Sequence, residues 1–299
     1  MYWLVIFCAV SIGLRAATPD ARSIVDAALA KDDRNSQLRR DYIYLQTETE
    51  RELDSNNKVT NTTSKQHEVR YIYGAQYKKL TQKNGAPLLE KEQLSENQKL
   101  DKFASKQAKL SEAERTKIFK DQEDKRQKNR DFVKEVPNAF NFSIVGEETI
   151  DGKPAWVIQA DPKLGFKPNS FQARMLPNLR GKFWIDKQGM QIMRLEAEVL
   201  DTISIGLFLA RLSKGTRFSV ELGLINNELW VPTKLRMDLD ARLALLKHLH
   251  GSNEIVFSGY RKFSTDSKIV ATSEVRRLLR ASPALILHVP MRRVWTENY

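Results

Sequence analysis

The stretch Gly181–Asp201, GKFWIDKQGMQIMRLEAEVLD, decides the fold. Phe183 to Asp186 is strand-prone, Lys187-Gln188-Gly189 turns the chain, and the next strand places Met193, Leu195, Ala197 and Val199 in alternation with Arg194, Glu196 and Glu198. Successive side chains of a strand point to opposite faces, so this pattern predicts a hairpin with one apolar and one charged face. The alternation recurs downstream. Phe218, Val220, Leu222 and Leu224 oppose Ser219 and Glu221, and Leu235, Met237, Leu239, Ala241 and Leu243 oppose Lys234, Arg236, Asp238, Asp240 and Arg242. The intervals leave no room for crossover helices, which predicts an antiparallel meander and excludes a parallel Rossmann-type sheet.

Upstream the same grammar holds. Glu147–Ala160 (EETIDGKPAWVIQA) carries an Asp-Gly turn, and Tyr42–Leu45 and Val69–Tyr73 flank the turn at Asp54-Ser55-Asn56-Asn57, which predicts a long hairpin. Ser23–Lys31 has the apolar spacing of a short amphipathic helix. So many strands in one sheet must curl, and an apolar face needs a cover. The N-terminal helix and the run Ile203–Leu212 (ISIGLFLARL) are the candidates. The expected class is α+β, a curled antiparallel sheet covered by helices.

Between Glu90 and Glu135 the composition changes, with 13 Lys+Arg and 11 Asp+Glu in 46 positions and neither Gly nor Pro. This predicts a solvated helical hairpin inserted at 88–135. Its second helix starts at the capping box Ser111-Glu112-Ala113-Glu114. Sustained heptads are absent, so a coiled coil is not expected.

Trp3–Leu14 (WLVIFCAVSIGL) followed by Arg15-Ala16-Ala17 reads as a signal peptide over residues 1–17, too short to span a bilayer. The expected location is therefore periplasmic. Cys8, the single cysteine, falls inside this segment, which removes thiol and disulfide chemistry from the mature chain. The main domain is expected over 18–263, followed by a weakly ordered basic tail over 264–299. The 299 residues carry 49 Lys+Arg against 37 Asp+Glu, a formal charge of +12. In an exported chain without a recognition motif, this excess points to the anionic partners of an envelope, lipid head groups, lipopolysaccharide or peptidoglycan; nucleic acid is not an expected partner.

Three phrases carry a resemblance: GEETIDGKPAWVIQA at 146–160, GKFWIDKQGMQIMRLEAEVLD at 181–201 and NEIVFSGYRKF at 253–263. Over Ala21–Phe263 the chain resembles the LolA/LolB-like superfamily of outer-membrane lipoprotein-sorting proteins. The likeness is strongest to a branch with a charged helical insertion and a segment like DTISIGLFLARL, here Asp201–Leu212. The resemblance implies a half-open β-barrel lidded by helices and a carrier of lipid or lipoprotein acyl chains. The superfamily also holds stress regulators of the RseB/MucB type, which implies an alternative: an envelope sensor or interaction module meeting a protein partner through 90–135.

Catalytic signatures are missing: there is no G-x-S-x-G elbow, H-E-x-x-H pair, phosphate loop or dinucleotide fingerprint. No enzyme activity, cofactor or metal is expected. His248 and His250 share a strand face as metal ligands do, but only Glu254 lies near in sequence, and a solvated pair is the simpler reading. The expected ligand wall is Met193, Leu195, Phe218, Val220, Leu222, Leu235, Met237 and Leu239. One of the two sheet faces must nevertheless be plain core. Ile203, Ile205, Leu207, Phe208, Leu209 and Leu212 either plug the open side as core or gate a cavity as a lid. Lys163, Lys167, Arg174 and Arg180, interleaved with aromatic and aliphatic residues, read either as head-group or membrane contacts or as a solvated loop.

Overall fold

A computed structural model describes residues 19–39, 42–205, 210–243 and 247–262. The expected leader at 1–17, the tail at 264–299 and Leu207, Phe208 and Leu209 lie outside the described residues. In chain order the elements are α1 (Ala21–Leu38), β1 (Tyr42–Leu53), β2 (Val59–Ile72), β3 (Ala75–Lys83), β4 (Ala86–Pro87), α2 (Glu90–Ala108) and α3 (Glu112–Ala139). They continue with β5 (Phe140–Ile150), β6 (Lys153–Pro162), a 3-10 helix (Gln172–Asn178), β7 (Leu179–Asp186), β8 (Ile192–Val199), β9 (Ile203–Ile205), β10 (Ala210–Leu212), β11 (Arg217–Ile225), β12 (Leu229–Leu243) and β13 (Lys247–Lys262).

All strands join one antiparallel sheet in the order β4-β3-β2-β1-β13-β12-β11-β8-β7-β6-β5, with β9 and β10 attached through β12. Its ends, β4 and β5, do not pair with each other, so the sheet is open. This is the curled antiparallel sheet with helices that the alternating segments predict. What local pattern does not announce is the central seam, where β13 returns to pair with β1 along its length. An aromatic group made by Tyr44, Phe257 and Tyr260 packs there, with Tyr44 and Tyr260 ring centroids 5.2 Å apart. Burial pushes both phenols well above their ordinary pKa, so they stay neutral.

Directly opposed residues share a face, so the register sorts the side chains. One row runs Ile144, Ile158, Phe183, Leu195, Val220, Leu235 and Ile255 from β5 to β13, then turns polar at Glu48, Lys65 and Lys83. On the opposite face the corresponding row is Val157, Trp184, Arg194, Glu221, Lys234 and Val256. The first face is therefore apolar over one half and polar over the other.

The helices cover the apolar half. Asp20 caps α1 by accepting from Ser23 N at 3.0 Å, and Ala21, Ile24, Val25 and Ala28 form its buried stripe. The helix runs beyond the apolar segment to Leu38 because its polar half is bolted down. Lys31 Nζ donates to Gly189 O at 2.6 Å, Asn35 Nδ2 to Gln191 Oε1 at 2.6 Å, and Arg39 Nε to Trp230 O at 2.9 Å. The capping box at Ser111 forms, and α3 sends only its last turns, Phe132, Val136 and Ala139, into the core. Its earlier turns are tied by ion pairs of Glu123 with Arg126 and Arg130.

The other helix of the pair, α2, shields an edge. Strand β3 pairs with β4 over only two residues, which leaves backbone groups unpaired. Glu96 of α2, 8% exposed, accepts from Leu80 N at 3.3 Å, and Phe103 packs on Tyr77 with centroids 4.8 Å apart.

Candidate functional site

The expected ligand wall falls on the apolar face at β8, β11 and β12. Of the expected wall residues, Val220 and Leu222 are buried at 7% and 4% exposure in the cluster that includes the α1 stripe. Leu195, Phe218, Leu235, Met237 and Leu239 are half-buried on the same face. A second row, Ala160, Gly181, Ala197, Phe218 and Met237, reaches Asn253 and then Glu50, so the wall is smooth on one side and polar on the other. Asn253 Nδ2 donates to Glu48 Oε1 at 2.9 Å and marks that border.

Met193 is a correction. It packs with Ala155, Val157 and Trp184, a cluster separate from the one around Leu195. The cause is a β-bulge: Trp184 pairs with Arg194 but Ile185 pairs with Ile192, so Met193 is an extra residue in β8. One inserted residue reverses the facing of everything before it.

The two ends of the Ile203–Leu212 run, Ile203–Ile205 and Ala210–Leu212, are strands of the sheet. β9 and β10 pair as a ribbon, and β10 continues the ladder along β12 at Ala210 to Leu212. Ile203 and Leu212, each 7% exposed, bury against Val199, with Phe218 and Leu239 packed alongside. The backbone of Ile205 belongs to β9.

The four expected head-group residues separate. Arg180 lies on the charged face, where it pairs with Asp161 at 2.9 Å, and so cannot line the apolar wall. It follows Leu179 and precedes Gly181, and the pleat points neighbours to opposite faces. A depression of about 340 Å³ on that face is lined by Arg180, Lys182, Glu196, Glu198, Arg217 and Arg236 among others. Three of its cations are paired within the sheet, Arg180 to Asp161 at 2.9 Å, Arg217 to Glu198 at 3.6 Å and Arg236 to Asp238 at 2.9 Å. Ions paired in this way, across strands and along β12, offer little unbalanced charge to a ligand. Lys163, Lys167 and Arg174 are exposed on the β6–β7 connection, away from the charged lattice.

Sequence reasoning missed Glu135. It sits in a highly charged segment yet is 7% exposed, and its carboxylate accepts from Asn169 N at 2.7 Å and Ser170 N at 2.9 Å, fastening that connection to α3. Only its spacing of three from Phe132 hinted at burial. His250 Nε2 lies 2.8 Å from Asn57 Oδ1. Among the described residues, no three His, Cys, Asp or Glu gather as a metal site would require.

Comparison with family models and with curated proteins gives no match. Among solved structures, the chain is similar to a domain described as an outer membrane lipoprotein-sorting protein from Vibrio parahaemolyticus, at 10% identity and TM-score 0.35, covering 87% of this chain and 98% of that one. It is similar to a LolA superfamily protein from Nitrosomonas europaea, at 9% identity and TM-score 0.33, over 86% and 100% of the two chains. A third similar structure is the Pseudomonas aeruginosa MucA/MucB complex, at 10% identity and TM-score 0.25, over 81% of this chain and 94% of the matched one. These are likenesses in the arrangement of strands and helices, between this chain and structures that include the LolA superfamily.

Proposed function

We propose that this chain is an exported, non-enzymatic binding protein of the cell envelope, which holds an acyl chain of a lipid or lipoprotein against its apolar sheet face. The observation that carries the reading is the half-buried group Leu195, Phe218, Leu235, Met237 and Leu239, continuous with the core on one side and bounded by Asn253 and Glu48 on the other. Each methylene removed from water on such a wall contributes about 0.8 kcal/mol. Ten would supply about 8 kcal/mol before the cost of ordering the chain. The apolar N-terminal run and the LolA-like phrases accord with this reading.

The second reading, a module that engages an envelope protein through 90–135, draws on Leu89 and Leu94, which are 74% and 56% exposed at the start of α2.

The test of the first reading is displacement of a fluorescent fatty acid. Met237→Glu puts a charge on the half-buried wall and lowers affinity at least about tenfold, by analogy with the cost of a charge facing an apolar ligand, while the thermal melt stays close to that of the parent. Unchanged affinity in a folded Met237→Glu variant contradicts the site. Val220→Glu is unsuited to this purpose, since a charge at a residue 7% exposed in the main core would unfold the chain.

A further inference from the structure

The β6–β7 connection presents its apolar residues outward. Leu164 is 96% exposed and Phe171 63% exposed, whereas Phe166 between them packs on the main core. Around these two side chains the charge has one sign. Between Asp161 and Asp186 the sequence has five cations and no carboxylate. Of the five, Arg180 is engaged by Asp161 and Lys182 lies over the Trp184 ring at 5.6 Å. Lys163, Lys167 and Arg174 are exposed and have no ion pair among the described residues. Arg174 stacks over the Phe171 ring at 5.4 Å, which joins a cation to an apolar tip.

The neighbouring carboxylates do not cancel this field. Glu135 is buried beneath the connection on two backbone amides and offsets at most one of the three free cations, and Asp131 pairs with Lys134 at 3.6 Å. Nor is the connection loose. Lys163 N donates to Ala139 O at 2.8 Å, Ala173 N donates to Ser170 Oγ at 3.2 Å, and Glu135 holds the middle. Two apolar knobs are thus held out on a fixed base and ringed by cations. Exposed apolar tips among unpaired cations match an anionic bilayer surface in charge and in polarity.

We infer that the connection Lys163–Arg174 docks the protein on anionic membranes, with Leu164 and Phe171 entering the interfacial layer and Lys163, Lys167 and Arg174 on lipid phosphates. Neither signal suffices alone, and together they give reversible attachment. The fixed base means little ordering cost on contact. The docking is independent of the acyl-chain site, so a chain that binds no cargo would still attach.

An environment-sensitive fluorophore tests it on the full chain. With Cys8→Ser removing the native thiol, the label is placed through Leu164→Cys, through Phe171→Cys, or through Val145→Cys, an exposed control on β5. Labels at 164 and 171 shift to the blue and brighten several-fold with phosphatidylglycerol-containing vesicles, respond weakly to phosphatidylcholine vesicles, and return toward the aqueous signal in high salt. The label at 145 stays aqueous. The pair Lys163→Glu and Lys167→Glu weakens the vesicle response about tenfold. Silent labels at 164 and 171, an equal response at 145, or indifference to the charge reversal would each overturn the inference.

Discussion

Gly251 shows how tightly single residues set this sheet. It pairs with Glu52 at the central seam, and a Cβ at its position would stand 2.2 Å from the Arg51 carbonyl oxygen, a backbone atom that cannot swing aside. Gly251→Ala must push β13 away from β1, and a destabilisation of about 1–3 kcal/mol is expected, read as a lower urea midpoint with an unchanged slope. An unchanged midpoint would mean that the seam is slack. The same scale explains what the sequence hides. From Leu195 to Val199, from Phe218 to Glu221 and from Lys234 to Asp240 the alternation gives the faces correctly, because the ladder there is regular until the bulge beyond Glu221. Met193 breaks the pattern since an inserted residue looks like any other apolar position in a run, and only the pairing of β8 with β7 reveals it. Glu135 is equally silent: its partners are backbone amides more than thirty positions away.

Among the elements, α3 is read from its sequence at its start, while its end at Ala139, past Pro137, lies beyond the expected limit of 135. The capping box at Ser111 fixes its start, and in the structure Phe132 and Val136, four apart, bury one face of its last turns. The second half of α1 is not legible, because it is held by hydrogen bonds to Gly189 O, Gln191 Oε1 and Trp230 O, none of which leaves a hydrophobic trace. Those bonds fasten α1 across the apolar face at its C-terminal half, while Arg22 meets Asn138 at 2.8 Å near its start. The β6–β7 connection depends on α3 through Glu135. Glu135→Ala removes a charged acceptor from two amides, each such bond being worth about 1.5–3 kcal/mol. Hydrogen exchange at Asn169 and Ser170 should accelerate by at least about tenfold, with strands β11 and β12 unaffected. Protection that survives the substitution would show that the connection is held by its own packing.

For the whole molecule, the organising feature is a sheet with two unlike faces. The charged face is largely self-paired, as in Arg194 with Glu221 at 4.0 Å and Lys234 with Glu254 at 3.8 Å, and the formal charge of +12 is not concentrated there. The other face is apolar from β5 to β13 and polar from β1 to β3, so core and candidate ligand wall are parts of one surface. This is why periodicity reveals the sheet but cannot divide wall from core: Val220 and Met237 belong to the same alternation, and only the placement of α1 and the 3-10 helix leaves one buried and the other half-exposed. The central claim is that the half-exposed part holds an acyl chain. Native mass spectrometry of the mature protein purified from its own host, followed by organic extraction, tests it most directly. The account predicts a stoichiometric mass of lipid or acylated peptide that is lost in Met237→Glu. A bare polypeptide that takes up no lipid when lipid is supplied would contradict it, and a co-purifying protein in place of lipid would favour the interaction module built on 90–135.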